Sequence, residues 1–159
     1  MPESWRSRLL RWRFNWFPAY RGTGARVTYI ADDGYEVRVR LPLSWRTRNY
    51  VGTIFGGSLY GAIDPFYMVM LIRLLGPEYI VWDQAATIRF LRPGRSTLHA
   101  TFRLDPETVA TIAAEARAGG PITREFDVEL LDAEGQVCCA CTKTVYVRWK
   151  GLEAGARTP

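Results

Sequence analysis

Between Leu59 and Leu74, Leu59, Ile63, Phe66, Met70, Leu71 and Leu74 recur at three- and four-residue spacing. That period is the mark of a helix. Tyr60, Ala62, Tyr67, Val69 and Ile72 fill most of its other faces, so the helix is expected to be wrapped on nearly all sides. Elsewhere the dominant period is two. Residues 26–31 and 35–43 alternate around Asp32-Asp33-Gly34 and predict a hairpin or one long bulged strand. Residues 79–91, 96–104, 122–131 and 137–149 predict four more strands. Arg21 to Gly24 reads as a turn. Asp105-Pro106-Glu107 opens a short helix, with an acid at the N-cap and proline at the first position, that should run to about Ala118 and stop at Gly119-Gly120. Near the start, Trp5, Leu9, Leu10, Trp12, Trp16 and Phe17 stand among Arg6, Arg8, Arg11 and Arg13, which predicts an amphipathic helix over 3–17, ended by Pro18.

One residue is out of character in the central helix. Asp64 is a carboxylate in an apolar run, a placement that costs roughly several kcal/mol unless it is compensated. Pro65 follows and cannot bond back to the Gly61 carbonyl, so a kink is expected there. Gly56-Gly57 forms the entry to the helix. Two readings of Asp64 stand side by side: a reactive or ligand-contacting carboxylate, or one that caps the break or pairs with a buried arginine.

The 159 residues suit one domain with a substantial core, and 48% apolar and 13% aromatic content exclude a disordered chain. Lysine and arginine exceed the acids by 21 − 16 = 5, an excess that favours anionic partners. Cys138, Cys139 and Cys141 cluster in one strand pattern, where they read as small core residues; no disulfide framework follows, and a reducing cytoplasm is expected. One histidine and no paired-cysteine motif speak against a metal site. His99 falls on the outer face of its strand, with Thr97, Thr101 and Arg103. No apolar run is expected to span a membrane, and no signal peptide is expected. The chain divides into residues 1–24 (amphipathic helix and turn), 25–150 (main domain) and 151–159 (flexible tail). The N-terminal helix has two readings: it covers the domain edge or a partner subunit, or it lies on a membrane surface, giving peripheral contact through residues 3–17.

Strands around one buried helix, with a second short helix inserted, make an α+β domain whose sheet must curve around the helix. The layout resembles the hotdog fold, a long antiparallel sheet wrapped around a central helix. The residues are more specific. Thioesterases of the phenylacetate-degradation type share N-x-x-G-x-x-H-G-G followed seven residues later by Asp. Asn49, Gly52, Phe55, Gly56, Gly57 and Asp64 stand at that spacing, with phenylalanine in place of the histidine. Phe90 to Arg95 (F-L-R-P-G-R) is similar to a strand end and turn of the same superfamily. The resemblance spans roughly residues 26–149 and implies a homodimer, with tetramers as a further assembly, and a pocket between subunits. There Asp64 of one chain acts with the Gly57 end of the other.

A helix start with two glycines exposes amide hydrogens that lack intrahelical partners, at the positive end of the helix dipole. Gly57 N–H is the candidate oxyanion donor and Asp64 the general base or nucleophile. Asn49 would orient the thioester or a water. Gly56 and Phe55 line the substrate site, and Arg92, Arg95, Arg46 and Arg48 sit on loops suited to the phosphates of an acyl-CoA. The leading expectation is an acyl-CoA thioesterase with no cofactor beyond the CoA of its substrate. The alternative is a non-catalytic hotdog module that binds acyl-CoA or lipid, because Phe55 replaces the family histidine. A hydratase reading lacks an Asp/His pair in one stretch, and nucleic-acid binding lacks a motif.

Overall fold

The computed structural model describes residues 3–151. In chain order it forms α1 (Trp5–Trp16), α2 (Pro18–Gly22), β1 (Arg26–Ile30), β2 (Glu36–Leu41), α3 (Gly56–Ile63), α4 (Phe66–Leu75), β3 (Tyr79–Phe90), β4 (Leu98–Arg103), α5 (Pro106–Gly119), β5 (Ile122–Leu131) and β6 (Val137–Trp149). The alternating segments all become strands, and their pairing is antiparallel throughout, in the order β1-β2-β4-β5-β6-β3. Residues 26–31 and 35–43 resolve as the hairpin β1–β2, with a register shift between Val27 and Tyr29.

The central helix crosses the sheet. α3 packs against β2, and α4 against β3 and β6. Leu59, Ala62, Ile63, Phe66, Met70 and Leu71 are buried, and the Phe66 ring lies 4.7 Å from that of Phe102 on β4. Asp64 and Pro65 form a turn between the two segments, as the missing proline N–H requires. By length and hydropathy alone, Gly56–Leu75 is sufficient to cross a membrane, at twenty residues and mean hydropathy 1.3. That corrects the expectation that no run reaches such a length. The stretch nevertheless serves as the core helix of the domain.

α5 begins at the N-cap Asp105, whose side chain accepts the Thr108 amide, and ends at Gly119. The turn expected at Arg21–Gly24 is present, the Gly24 amide donating to the Arg21 carbonyl at 3.2 Å, and an unexpected helical turn, α2, runs into it. Pro18, which ends α1, also starts this new turn at its first position, where it needs no amide hydrogen. All three cysteines are buried and free, and His99 is exposed. Residues 152–159, most of the expected tail, lie outside the described residues.

The two outer strands of the sheet are treated differently. Along β1, the Asn15 amide nitrogen donates to the Val27 carbonyl at 2.9 Å and its oxygen accepts the Val27 amide at 2.8 Å. Glu3 accepts the Ile30 amide at 3.1 Å. Helix α1 therefore seals that edge. β3, at the other end, pairs with β6 on one side and has no strand on its other side among the described residues.

Candidate active site

Loop 42–55 sets the entrance to α3. The Asn49 oxygen accepts the amides of Val51 and Thr53 at 3.1 and 3.0 Å, and its nitrogen donates to Thr53 Oγ1 at 2.9 Å. These bonds hold Asn49 within its own loop, as a brace. The Phe55 amide donates to the Thr47 carbonyl at 2.7 Å, and the Ile54 amide to the Gly94 carbonyl at 2.9 Å. The F-L-R-P-G-R turn is thereby fastened to the helix entrance. Phe55 is the N-cap residue, and its carbonyl accepts the Ser58 and Leu59 amides. The two preceding amides, of Gly56 and Gly57, have no acceptor among the described residues. Both glycines lie close under aromatic rings. The Phe55 ring occupies the position a Gly57 side chain would take, and the Phe90 ring stands 3.3 Å from where a Gly56 Cβ would be.

Beside this entrance lies a cleft of about 360 Å³ whose lining includes Asn49, Gly56, Leu59, Phe90, Arg92 and Gly94. The structure thus brings Asn49 and Gly56, from loop 42–55 and the start of α3, together with Arg92 from the turn after β3. Arg92 is exposed and donates to the Gln136 side chain. Arg95, Arg46 and Arg48 are exposed on neighbouring loops and do not line the cleft; the Arg46 guanidinium sits over the Trp45 ring.

Asp64 lies elsewhere. It borders a second cavity of about 690 Å³ between α1–α2 and the α3–α4 bend, lined mainly by apolar groups such as Leu10, Phe14, Phe17, Met68 and Val69, with Arg13 and Arg73. Within one chain the structure does not place Asp64 and the α3 entrance in a common cavity.

The Asp64 carboxylate is held by a residue whose role the sequence reading missed. Lys143 Nζ stands 2.8 Å from Asp64 Oδ1, 3.1 Å from Asp83 Oδ2 and 3.2 Å from the Tyr60 hydroxyl. Its side chain is 1% exposed, against 45% for Asp64 and 17% for Asp83. The partner is a lysine, not the arginine weighed from sequence. One buried ammonium thus faces two carboxylates, one largely buried and one half-exposed. Burial works against the charge on Lys143, but its hydrogen bonds to Asp64, Tyr60 and Asp83 outweigh this and raise its pKa. Burial also pushes the Asp83 carboxyl up, against the opposing pull of Lys143. Asp83 Oδ1 is buried with no hydrogen-bond partner among the described residues. For Tyr60, burial first and then the neighbouring Asp64 raise the hydroxyl.

A signal for this cluster was present. Lys143 falls on the inward parity of β6, with Cys139, Cys141, Val145 and Val147, where a lysine is as anomalous as Asp64 is in its helix. Asp83 was harder to place, because the register shift between Asp83 and Ala85 breaks the strict alternation of β3.

Solved structures with this architecture are similar over most of their length. A Pseudomonas aeruginosa protein described as a probable thioesterase of unknown function superposes with TM-score 0.79 at 21% identity, covering 89% of this chain and 95% of that one. A Haemophilus influenzae thioesterase gives 0.67 at 15% identity, with 93% and 94% covered. The Escherichia coli PaaI protein of the phenylacetic acid degradation operon gives 0.61 at 15%, with 89% and 91% covered. These likenesses establish the α+β hotdog fold. A comparison with curated proteins finds no match in sequence. A family model matches residues 6–147, nearly the whole chain, and the protein belongs to that family, described as a domain of unknown function (DUF4442).

Proposed function

We propose that this protein is a thioester hydrolase acting on an acyl-CoA, without a metal or redox cofactor. The observation that carries the reading is the pair of acceptor-free amides at Gly56 and Gly57, on the same helix as a half-exposed carboxylate gripped by a buried ammonium. In a dimer joined through β3, Asp64 of one chain would face the Gly57 end of the other. Asp64 takes a proton from water as the water oxygen attacks the thioester carbonyl and passes it to the departing sulfur. Alternatively it attacks that carbonyl itself, the sulfur takes its proton from water, and a water molecule then hydrolyses the mixed anhydride to free Asp64. The Gly57 amide receives the oxyanion, and the C–S bond breaks to release the CoA thiol. Lys143 and Tyr60 fix the carboxylate. Arg92, with Arg95, Arg46 and Arg48 on the surrounding loops, meets the CoA phosphates, and Asn49 shapes the entrance. The three buried free thiols suit a reducing compartment such as the cytoplasm.

Release of free CoA from a panel of acyl-CoAs tests the reading. Asp64→Asn is expected to lower turnover by about 10²–10⁴-fold with the fold retained; equal turnover in that variant removes Asp64 from the reaction. A second reading, a binding module without catalysis, is favoured by one observation: the Phe55 ring packs over Gly57 where the related thioesterases carry a histidine. In that case acyl-CoA raises the melting temperature and no member of the panel is cleaved.

A further inference from the structure

Helix α1 has an outer face that the domain leaves uncovered. Its inward side is Ser7, Leu10 and Phe14, with Asn15 bound to β1. Trp5, Leu9, Trp12 and Trp16, spaced four, three and four residues apart, form one narrow stripe on the opposite side. They are 69, 50, 58 and 55% exposed, and Phe17, 57% exposed, continues the apolar surface past the end of the helix. Arg8 flanks the stripe on one side and Arg6 and Arg13 on the other. Arg21 joins them from α2, its guanidinium 4.7 Å from the centre of the Trp16 ring. No acid occurs between Glu3 and Asp32, and Glu3 is bound to Arg11 at 2.8 Å. Arg6, Arg8, Arg13 and Arg21 have no carboxylate partner among the described residues.

From this surface we infer that the protein docks on an anionic lipid membrane through α1. Indole rings favour the headgroup boundary, where an apolar body and a polar N–H are both accommodated. Arginines beside the rings lie level with lipid phosphates, each contributing about 1 kcal/mol near an anionic surface. Helix α1 is also pinned to the fold by Asn15, Glu3 and the Ser7 hydroxyl, which donates to Asp32 at 2.8 Å, so its stripe is presented already ordered. A second copy of the chain is a poor occupant, since two such faces would oppose arginine rim to arginine rim. The same helix walls the apolar cavity that Asp64 borders, so docking places that cavity next to the acyl layer. The inference does not depend on hydrolysis and stands if the thioesterase reading fails.

Co-sedimentation of the full chain with vesicles tests it, using phosphatidylcholine alone against phosphatidylcholine mixed with phosphatidylglycerol. Binding to the mixed vesicles is expected to be at least about tenfold tighter and to weaken with salt. The combined change Trp5→Ser, Trp12→Ser, Trp16→Ser leaves the inward face of α1 intact and should abolish binding with unchanged circular dichroism. Arg6→Gln with Arg8→Gln and Arg13→Gln should erase the preference for the anionic vesicles. Absence of binding to either vesicle overturns the inference, as does binding that survives loss of the three tryptophans. Two further outcomes overturn it: lipid-free self-association that the tryptophan variant loses, assigning the face to a second copy, or tryptophan-dependent binding of an oligonucleotide that displaces the vesicles.

Discussion

The two ends of the sheet solve the same physical problem in opposite ways. An outer strand presents unpaired amides and carbonyls that invite another strand, and natural proteins cover or blunt such edges. At β1 the cover is part of the chain: Asn15 and Glu3 take the free backbone groups of Val27 and Ile30. At β3 twelve residues remain without a strand on the outer side, and Trp82 and Phe90 are 48 and 58% exposed. A sheet that seals one edge and leaves the longer one bare among the described residues offers the bare one as the place for the dimer proposed above. The costly chemistry lies behind that same strand, since Asp83 of β3 shares the Lys143 ammonium with Asp64. The closed end is covered by the chain itself; the open end adjoins the polar cluster.

The sharpest way to break this contrast is to remove the ammonium. Lys143→Met leaves the largely buried Asp83 and the half-exposed Asp64 without their counter-charge, and is expected to cost about 3 kcal/mol in denaturant unfolding, the low end for a buried pair because water reaches Asp64. A loss below about 1 kcal/mol would mean that the cluster is not the strained element of the molecule. Next is the closed edge. Asn15→Leu strips the Val27 amide and carbonyl of their partners and is expected to cost about 1–3 kcal/mol by thermal or chemical unfolding.

At the open edge, Thr87→Lys sets like charges against each other where two β3 strands would meet. The dimer dissociation constant should rise about tenfold, corresponding to about 1.4 kcal/mol, in sedimentation equilibrium. Unchanged self-association, or a wild-type chain that is monomeric, would locate assembly elsewhere. The smallest effect concerns pH. Because burial raises the Asp83 carboxyl, the folded chain holds that proton more tightly than the unfolded chain. The stability this supplies is full below the usual carboxylate pKa of about 4, and is lost as pH rises through the raised folded value. Asp83→Asn removes the dependence, so stability relative to wild type should shift in favour of the variant as pH rises from about 4. Parallel stability profiles in urea would contradict this.

Much of the molecule was legible beforehand because its determinants are local. Strand alternation, the capping of α5 by Asp105 and Pro106, the break at Asp64-Pro65 and the inward cysteines all follow from neighbours a few residues apart. The α3 entrance was legible too, because two adjacent glycines before a helix expose amides whatever surrounds them. What was misread or missed lay mostly at longer range. Asn49 lines the cleft, but that its hydrogen bonds stay within its own loop depends on where Thr53 folds back, which spacing alone does not give. The short helix α2 ahead of the Arg21–Gly24 turn was also missed.

By itself the sequence determined the order and type of the elements and the presence of a carboxylate where none belongs. Only the tertiary structure decided what that carboxylate meets, because Lys143 reaches Asp64 across 79 positions of chain, brought there by sheet pairing and helix packing. It also decided that the tryptophans of α1 face outward while Asn15 of the same helix closes β1. Periodicity assigns residues to faces, but which face is covered depends on the partners that arrive.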